Sequence, residues 1–409
     1  MGARNKQSEW QKCSLLVIGL LFFPRLGYAS QLALPAATPE DASLAGNAVA
    51  LPLNPVTALF HNPAQLTLLP NSVTVGALGL RFLPGYASPS GYQSTSREFP
   101  VSPSFGYVTD RWAPFHVGIG AYGALGFSYN HDADPEHGVP DKFSTDLAIL
   151  SLAPSVAYSL RPNLHIGVGI NPSYGRLRFK TPSPVGKIDT DVRGPGVFGT
   201  LGLLYQPTPN LNIGVSYKTP GTIFMFGNAR VAGQGDDAHV DFQLPQHVEF
   251  GLAYRLLPSL TVTVQARWTE FSVYEDTRLE FDQRQFLNRP AANDARDRFR
   301  LGGGLQYKVL PWLTVQVGFS WERWALTDSS LSPTLPDLTD YFMFPAGVTL
   351  EWEDWKFHLL AGWSYVESRH VSADQNPFFP GRYSLDQAIF GLQVTRLLGT
   401  AQVANTQEP

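Results

Sequence analysis

From Ser72 towards the C-terminus, apolar and polar residues alternate with a period of two, and no run of period 3.6 interrupts them. LTVTVQARWT (260–269) shows it most plainly: Val262, Val264, Ala266 and Trp268 share one face, while Thr261, Thr263, Gln265, Arg267 and Thr269 share the other. LNIGVSYK sets Leu211, Ile213, Val215 and Tyr217 against Asn212, Gly214, Ser216 and Lys218. RFRLGGGLQYK sets Phe299, Leu301, Leu305 and Tyr307 against Arg300, Gln306 and Lys308. Each strand therefore has an oily side and a wet side. The pattern predicts about fourteen strands, roughly 72–83, 99–109, 115–127, 143–160, 164–180, 191–206, 210–231, 239–256, 259–281, 297–310, 312–325, 340–352, 355–369 and 383–397.

An internal repeat orders these strands. YSLRPNL (158–164), YQPTPNL (205–211), YRLLPSL (254–260) and YKVLPWL (307–313) each carry Tyr, then Pro four residues on, then Leu six on. They read as tight proline turns recurring about every fifty residues. Long polar connectors fall in the gaps, at 181–190, 233–238 and 282–296, with others near 84–97, 128–142, 326–339 and 370–382. Short turns at one rim and long loops at the other are the pattern of an up-and-down outer-membrane barrel, and an even strand count returns both ends to the periplasm. The repeated tyrosines would then form an aromatic girdle at the periplasmic interface. A soluble propeller has repeats of similar length. Faces that stay apolar along whole strands argue against it.

Composition narrows the class further. Charged residues are 16% and aromatics 12%, with a formal net charge of −4 and no basic stretch suited to phosphates, which excludes disorder and a nucleic-acid partner. A mean hydropathy of −0.09 is too polar for a bundle of membrane helices. It suits strands whose lipid-facing and lumen-facing residues average out. At the N-terminus, Arg4, Lys6 and Lys12 precede an apolar run from Cys13 to Phe23, then PRLGYAS, so residues 1–29 read as a secretory signal cleaved after Ala29. The run is about half the ~20 residues an uncleaved anchor needs. The single cysteine, Cys13, would leave with the signal, so thiol catalysis, disulfides and thiolate metal sites are excluded from the mature chain.

Residues 30–71 break the strand pattern. This segment is rich in small residues, has short helical stretches at best, and is too apolar for a free tail. Beside a lumen of about fourteen strands it reads as a plug, because a barrel of that size otherwise leaks. Within LFHNPAQLTLLP (59–70), Pro63 disfavours helix at Asn62, so a helix through Leu59 should stop there. The expected organisation is signal 1–29, plug or hatch 30–71, barrel 72–398 and tail 399–409.

The stretch DASLAGNAVALPLNPVTALFHNPAQL resembles the N-terminal hatch of the FadL/TodX family of outer-membrane transporters, in which a small-residue run leads into an aromatic residue and Asn-Pro-Ala. LNIGVSYKTP (211–220) resembles that family's strand with Ser-Tyr and a basic residue, and LPWLTVQVGFSWERWALTDSSLSPTLPDLTDYFMFPAGVTLEW resembles its late hairpin. Gln65 departs from the family's usual Gly, and the last strand ends VTRLLGT with the tail AQVANTQEP in place of a terminal aromatic. Barrel assembly would then read an internal signal around Phe390 to Leu398. The resemblance implies a monomer in the bacterial outer membrane, in contact with its lipid. It would take up hydrophobic compounds by passive diffusion, long-chain fatty acids or similar lipids first, with neutral aromatic hydrocarbons as the alternative. It also implies a ligand that enters an oily pocket above the hatch and leaves sideways beside a kinked third strand.

On that reading Phe60, Asn62, Pro63 and Ala64 form the gate, and FHVGIGAYGALGF supplies the lateral opening at Gly118, Gly120, Gly123 and Gly126, since glycines mark bulges and kinks. Glycine packing against the hatch is the other account of the same residues. Burying about fifteen methylenes yields on the order of 12 kcal/mol, so a moving hatch is needed for release. An acidic ligand needs a lumen cation, for which Arg267, Arg300 and Lys218 are candidates, with Lys308 also inward and Glu249 and Glu322 as countercharges. No cofactor, metal or catalytic residue is expected. The scattered His165, His247 and His358 form no Ser/His/acid pattern that would make the barrel an enzyme, and Asp132, Asp134 and His137 read as a solvated loop. A passive porin for hydrophilic solutes would require an unsealed lumen.

Overall fold

The computed structural model describes residues 35–399 apart from 138, 183–185, 291–294 and 334–336. The predicted signal, with Cys13, and the tail from 400 onward lie outside these residues. Three short helices come first: α1 (Pro39–Ser43), α2 (Pro55–His61) and a 3-10 helix (Pro63–Leu68). Each begins with a polar residue and a proline. The side chains of Thr38, Asn54 and Asn62 accept the N–H of Asp41, Thr57 and Ala64, respectively, while the proline supplies a preset φ where no donor is needed.

Fourteen spanning strands follow: β1 (Ser72–Ala87), β2 (Val101–Trp112), β3 (Phe115–His131), β4 (Phe143–Leu152 with Ser155–Arg161), β5 (Leu164–Thr181), β6 (Ile188–Thr208) and β7 (Leu211–Lys218 with Gly221–Val231). The second half comprises β8 (Gln234–Leu244 with His247–Leu257), β9 (Leu260–Thr269), β10 (Arg298–Leu310), β11 (Leu313–Glu322), β12 (Tyr341–Trp352), β13 (Trp355–Val366) and β14 (Gly381–Leu397). Neighbours in sequence pair antiparallel, and β1 closes on β14 from Ser72 opposite Leu397 to Ala87 opposite Arg382. The interruptions in β4, β7 and β8 fall at Pro154, Pro220 and Pro245, where a donor is missing from the ladder.

Alternation sorts the side chains as expected. Val264, Leu301, Leu359 and Trp363 point outward and are about half exposed, while Gln265, Arg267, Arg300 and His358 point into the lumen and are buried. Tyr205, Tyr254 and Tyr307 stand exposed near the short-turn rim. Two expectations need correction. The connector expected at 233–238 is a two-residue turn, Ala232-Gly233, in which both residues have positive φ (51° and 80°), the geometry that joins twisted hairpin strands. Lys308 is exposed at the short-turn rim, its amide bonded to Ser259, and does not face the lumen charges.

The hatch fills the barrel and presses on its wall at inward-facing glycines. A Cβ on Gly202 would collide with Asn62, one on Gly214 with the backbone of Val49, and one on Gly318 with the backbone of Leu44 and Ala45. These absent side chains are the space the hatch occupies. Gly318→Val is expected to force the hatch off β11 at a cost of about 1–3 kcal/mol. A rise in planar-bilayer conductance, with the barrel still heat-modifiable on gels, would show it; unchanged conductance would count against the seat.

Candidate functional site

Asn62 ends α2 and starts the 3-10 helix, and its side chain fixes both. Nδ2 donates to the carbonyls of Val49 (2.9 Å) and of Leu203 on β6 (3.0 Å), while Oδ1 accepts from the Ala64 amide (3.1 Å). Pro63 and Ala64 lie against Gly167 and Gly202. Gln65 donates from Nε2 to the Ala48 carbonyl (2.6 Å), so it ties the turn to the preceding hatch segment. Phe60 packs edge-on against Tyr122 (5.1 Å) and carries the Lys218 ammonium over its face at 3.7 Å.

The hatch has two unlike sides. Towards β2, β3 and β4 it is oily: Val56, Leu59, Phe60 and Leu66 cluster with Val108, Tyr122, Ala153 and Ala157. Towards β8 and β9 it is charged and polar. His61 places Nε2 2.9 Å from Asp41 and Nδ1 2.8 Å from Glu249, and Val49 donates its amide to Gln265 (2.9 Å). Glu249 and Glu322 each lie 3.6 Å from Arg267. Nothing in neighbouring positions singles out His61, because its two partners are 20 and 188 residues away.

With carboxylates at both ring nitrogens, both must donate, so His61 is an imidazolium. Burial by itself lowers its pKa, but Asp41 and Glu249 outweigh that and raise it to about 9.

Above the hatch, in the long-loop half, the lumen is lined continuously by oily side chains, among them Phe82, Phe127, Tyr129, Leu147, Ile223, Met225, Phe242, Met343 and Tyr383. Loop residues Phe271, Tyr274, Leu326, Leu331 and Leu338 fold into the mouth, and Ala42 and Ala45 of the hatch join from below. Lys218 and Arg300 are buried against the hatch, Lys218 over Phe60 and Arg300 beside Gly46. Arg300 reaches the hatch turn at Gly46, neither of its terminal nitrogens has a hydrogen-bond partner, and neither cation pairs with a carboxylate among the described residues. Arg267, by contrast, is held between two carboxylates.

The four glycines of the third strand divide. A Cβ at Gly118 or Gly120 would meet Leu59 of the hatch, and at Gly118 Leu66 as well. Gly123 borders the register shift that leaves Ala124 unpaired, and Gly126 lies beyond it. Strands β2 and β3 pair only from Phe105 opposite Ala121 down to Trp112 opposite Phe115. Above that point β3 pairs with β4 alone, and the chain preceding β2 follows β1. Side-chain bonds resume across the seam higher up, where Asn130 meets Ser96 (2.9 Å) and Glu98 (2.8 Å). Ala124 touches both the oily lumen lining and the oily side of the hatch.

Among the described residues, two serine hydroxyls meet a histidine ring, Ser43 with His358 (2.7 Å) and Ser159 with His165 (2.8 Å). Behind His358 stands Thr349 and behind His165 stands Gln206, so neither has the carboxylate of a triad. Asp134 and His137 pair with each other on an exposed loop, and no three metal-ligating side chains converge among the described residues.

A closed fourteen-strand barrel with an oily belt outside and a hatch inside defines an outer-membrane transport barrel. The family described as outer membrane protein transport protein (OMPP1/FadL/TodX) matches residues 29–397, and the chain belongs to it. Among solved structures it is similar to a FadL homologue of Pseudomonas aeruginosa, at 15% identity and a TM-score of 0.75 over 90% of this chain and 100% of that one. It is similar also to the toluene transporters TbuX of Ralstonia pickettii (19% identity, TM-score 0.69, 90% and 99% covered) and TodX of Pseudomonas putida (17%, 0.71, 90% and 100%). No curated protein sequence matches the chain.

Asn62→Ala removes three hydrogen bonds at the turn and should loosen the hatch by about 2–4 kcal/mol, read as faster hydrogen exchange in residues 55–68. The His61 tie has its own signature. Because the folded pKa is raised, the tie contributes fully below the free value of 6.5 and is lost as pH rises through about 9. Hatch exchange, corrected for intrinsic rate, should therefore accelerate between pH 7 and 10, and His61→Gln should flatten that rise.

Proposed function

We propose that this transport protein carries hydrophobic compounds bearing an acid group, long-chain fatty acids or similar lipids, downhill across the outer membrane. The observation that carries the reading is an oily upper lumen together with Lys218 and Arg300, two cations buried against the hatch that pair with no carboxylate among the described residues. A buried charge left unpaired is costly, and an arriving carboxylate would relieve it. The alkyl chain would lie against the aromatic and aliphatic lining, with its head at the hatch.

From there the route proposed for release is sideways. Displacing Phe60 and Leu59 from the oily side of the hatch would open a path past Ala124 to the seam between β2 and β3, where the wall lacks backbone hydrogen bonds. Asn62, Pro63 and Ala64 are the hinge in this scheme. Gly118 and Gly120 seat the hatch, and Gly123 and Gly126 belong to the opening. A second reading, neutral aromatic hydrocarbons, is favoured by the ring-rich lining and by the toluene-transporting relatives.

Arg300→Met separates the two. For an acidic ligand it should lower uptake of a labelled long-chain fatty acid by roughly tenfold or more, the worth of a charged hydrogen bond, and leave toluene uptake within about twofold. Equal uptake of the acid by the native protein and the variant, with toluene carried well, would establish the neutral-ligand reading instead.

A further inference from the structure

The charged side of the hatch does not stop at the wall. Asp41 meets His61 (2.9 Å), and His61 meets Glu249 on β8 (2.8 Å). Glu249 meets Arg267 on β9, Arg267 meets Glu322 at the end of β11, and Glu322 meets Arg298 on β10, each at 3.6 Å. Arg298 then meets Asp337 at 3.0 Å, in the long loop between β11 and β12. Asp337 accepts the amides of Ala325 (2.6 Å) and Leu326 (2.9 Å) in the same loop. Every side chain in this chain of seven is at most 8% exposed, and the signs alternate throughout.

We propose that this relay couples the mouth loop to the hatch, so that an event moving the loop loosens the plug some strands away. The two ends are hydrogen-bonded, whereas the middle contacts at 3.6 Å are held by attraction between charges alone. Each inner member balances two neighbours of opposite sign in a water-poor lumen. Withdrawing Asp337 leaves Arg298 under-compensated and draws Glu322 towards it; Arg267, losing Glu322, then draws Glu249 to itself, which weakens the hold of Glu249 on His61. The loop is placed to sense a ligand, because Leu326, Leu331 and Leu338 are part of the oily mouth. The identity of that ligand rests on the proposed function; the coupling does not.

The test uses no ligand. Ala58→Cys puts a small thiol on the buried hatch helix, and the predicted mature chain has no other cysteine. Labelling by a membrane-impermeant maleimide is timed in the full-length protein in liposomes, with His61→Gln, Asp337→Asn and both together. Each single change should speed labelling, and the pair should fall short of the product of the two by roughly threefold or more. Adding Glu322→Gln, which cuts the middle and spares both ends, should abolish that shortfall. Simple multiplication in the native background, an Asp337→Asn rate equal to the native one, or a shortfall that survives Glu322→Gln would each overturn the proposal. Heat-modifiability checks that every variant has folded, and Leu53→Cys, a partly buried hatch position, repeats the cycle if Ala58→Cys does not fold. Failed uptake with an intact labelling cycle would count against the transport reading alone.

Discussion

A strand inside the hydrocarbon of a bilayer has no water to bond, so its backbone amides must find a neighbouring strand. In this protein that requirement closes β1 on β14 and fixes a lumen wide enough to need filling. The rest follows from the filling. A plug cannot lean on a wall of large side chains without leaving voids, so the wall carries glycine where the hatch presses, as at Gly202, Gly214 and Gly318. A plug also brings its own unpaired backbone groups, which the wall answers with Asn212 and Gln265, while Asn47 and Asn62 of the hatch donate to the wall carbonyls of Gly303 and Leu203.

In the proposed release route, the two sides of the hatch have different parts. Apolar contacts towards β2 and β3 are non-directional, so that side can shift without orphaning a polar group. Charged contacts towards β8 and β9 are directional and costly to break singly, so that side holds position. The weakest stretch of wall, the seam between β2 and β3, lies beside the side that is cheaper to move. Ala124, unpaired at the register shift in β3, touches both the lumen lining and this side of the hatch.

Strand order and most facings were legible from neighbouring positions, although the ninth strand, expected over 259–281, ends at Thr269 and a 3-10 helix follows at Phe271–Asp276. Lipid-facing Val264 and Leu301 and lumen-facing Arg267 and Arg300 follow from a period of two, which is a local property. The turn at Asn62-Pro63 was legible for the same reason, since proline constrains its neighbour. His61 was not, because its meaning lies in Asp41 and Glu249, which only the folded lumen brings to it. The turn at Ala232-Gly233 was read as a longer connector because the residues after it, Gln234 to Asp237, are polar, yet they belong to the strand and pair with Val231 to Asn228.

Arg267 and Arg300 show most sharply where the sequence stops. Both sit on wet faces and are directly opposite each other on β9 and β10. By itself the sequence determined that the chain is a barrel, which face of most strands is wet, and where the first strand begins, because alternation and turn chemistry are written in neighbouring positions. Only the tertiary structure decided that Arg267 is held between Glu249 and Glu322 while Arg300 has no such partner among the described residues. Ion pairing depends on distances of a few ångströms across strands and between wall and hatch, and these are fixed by register and by how the plug sits in the closed sheet.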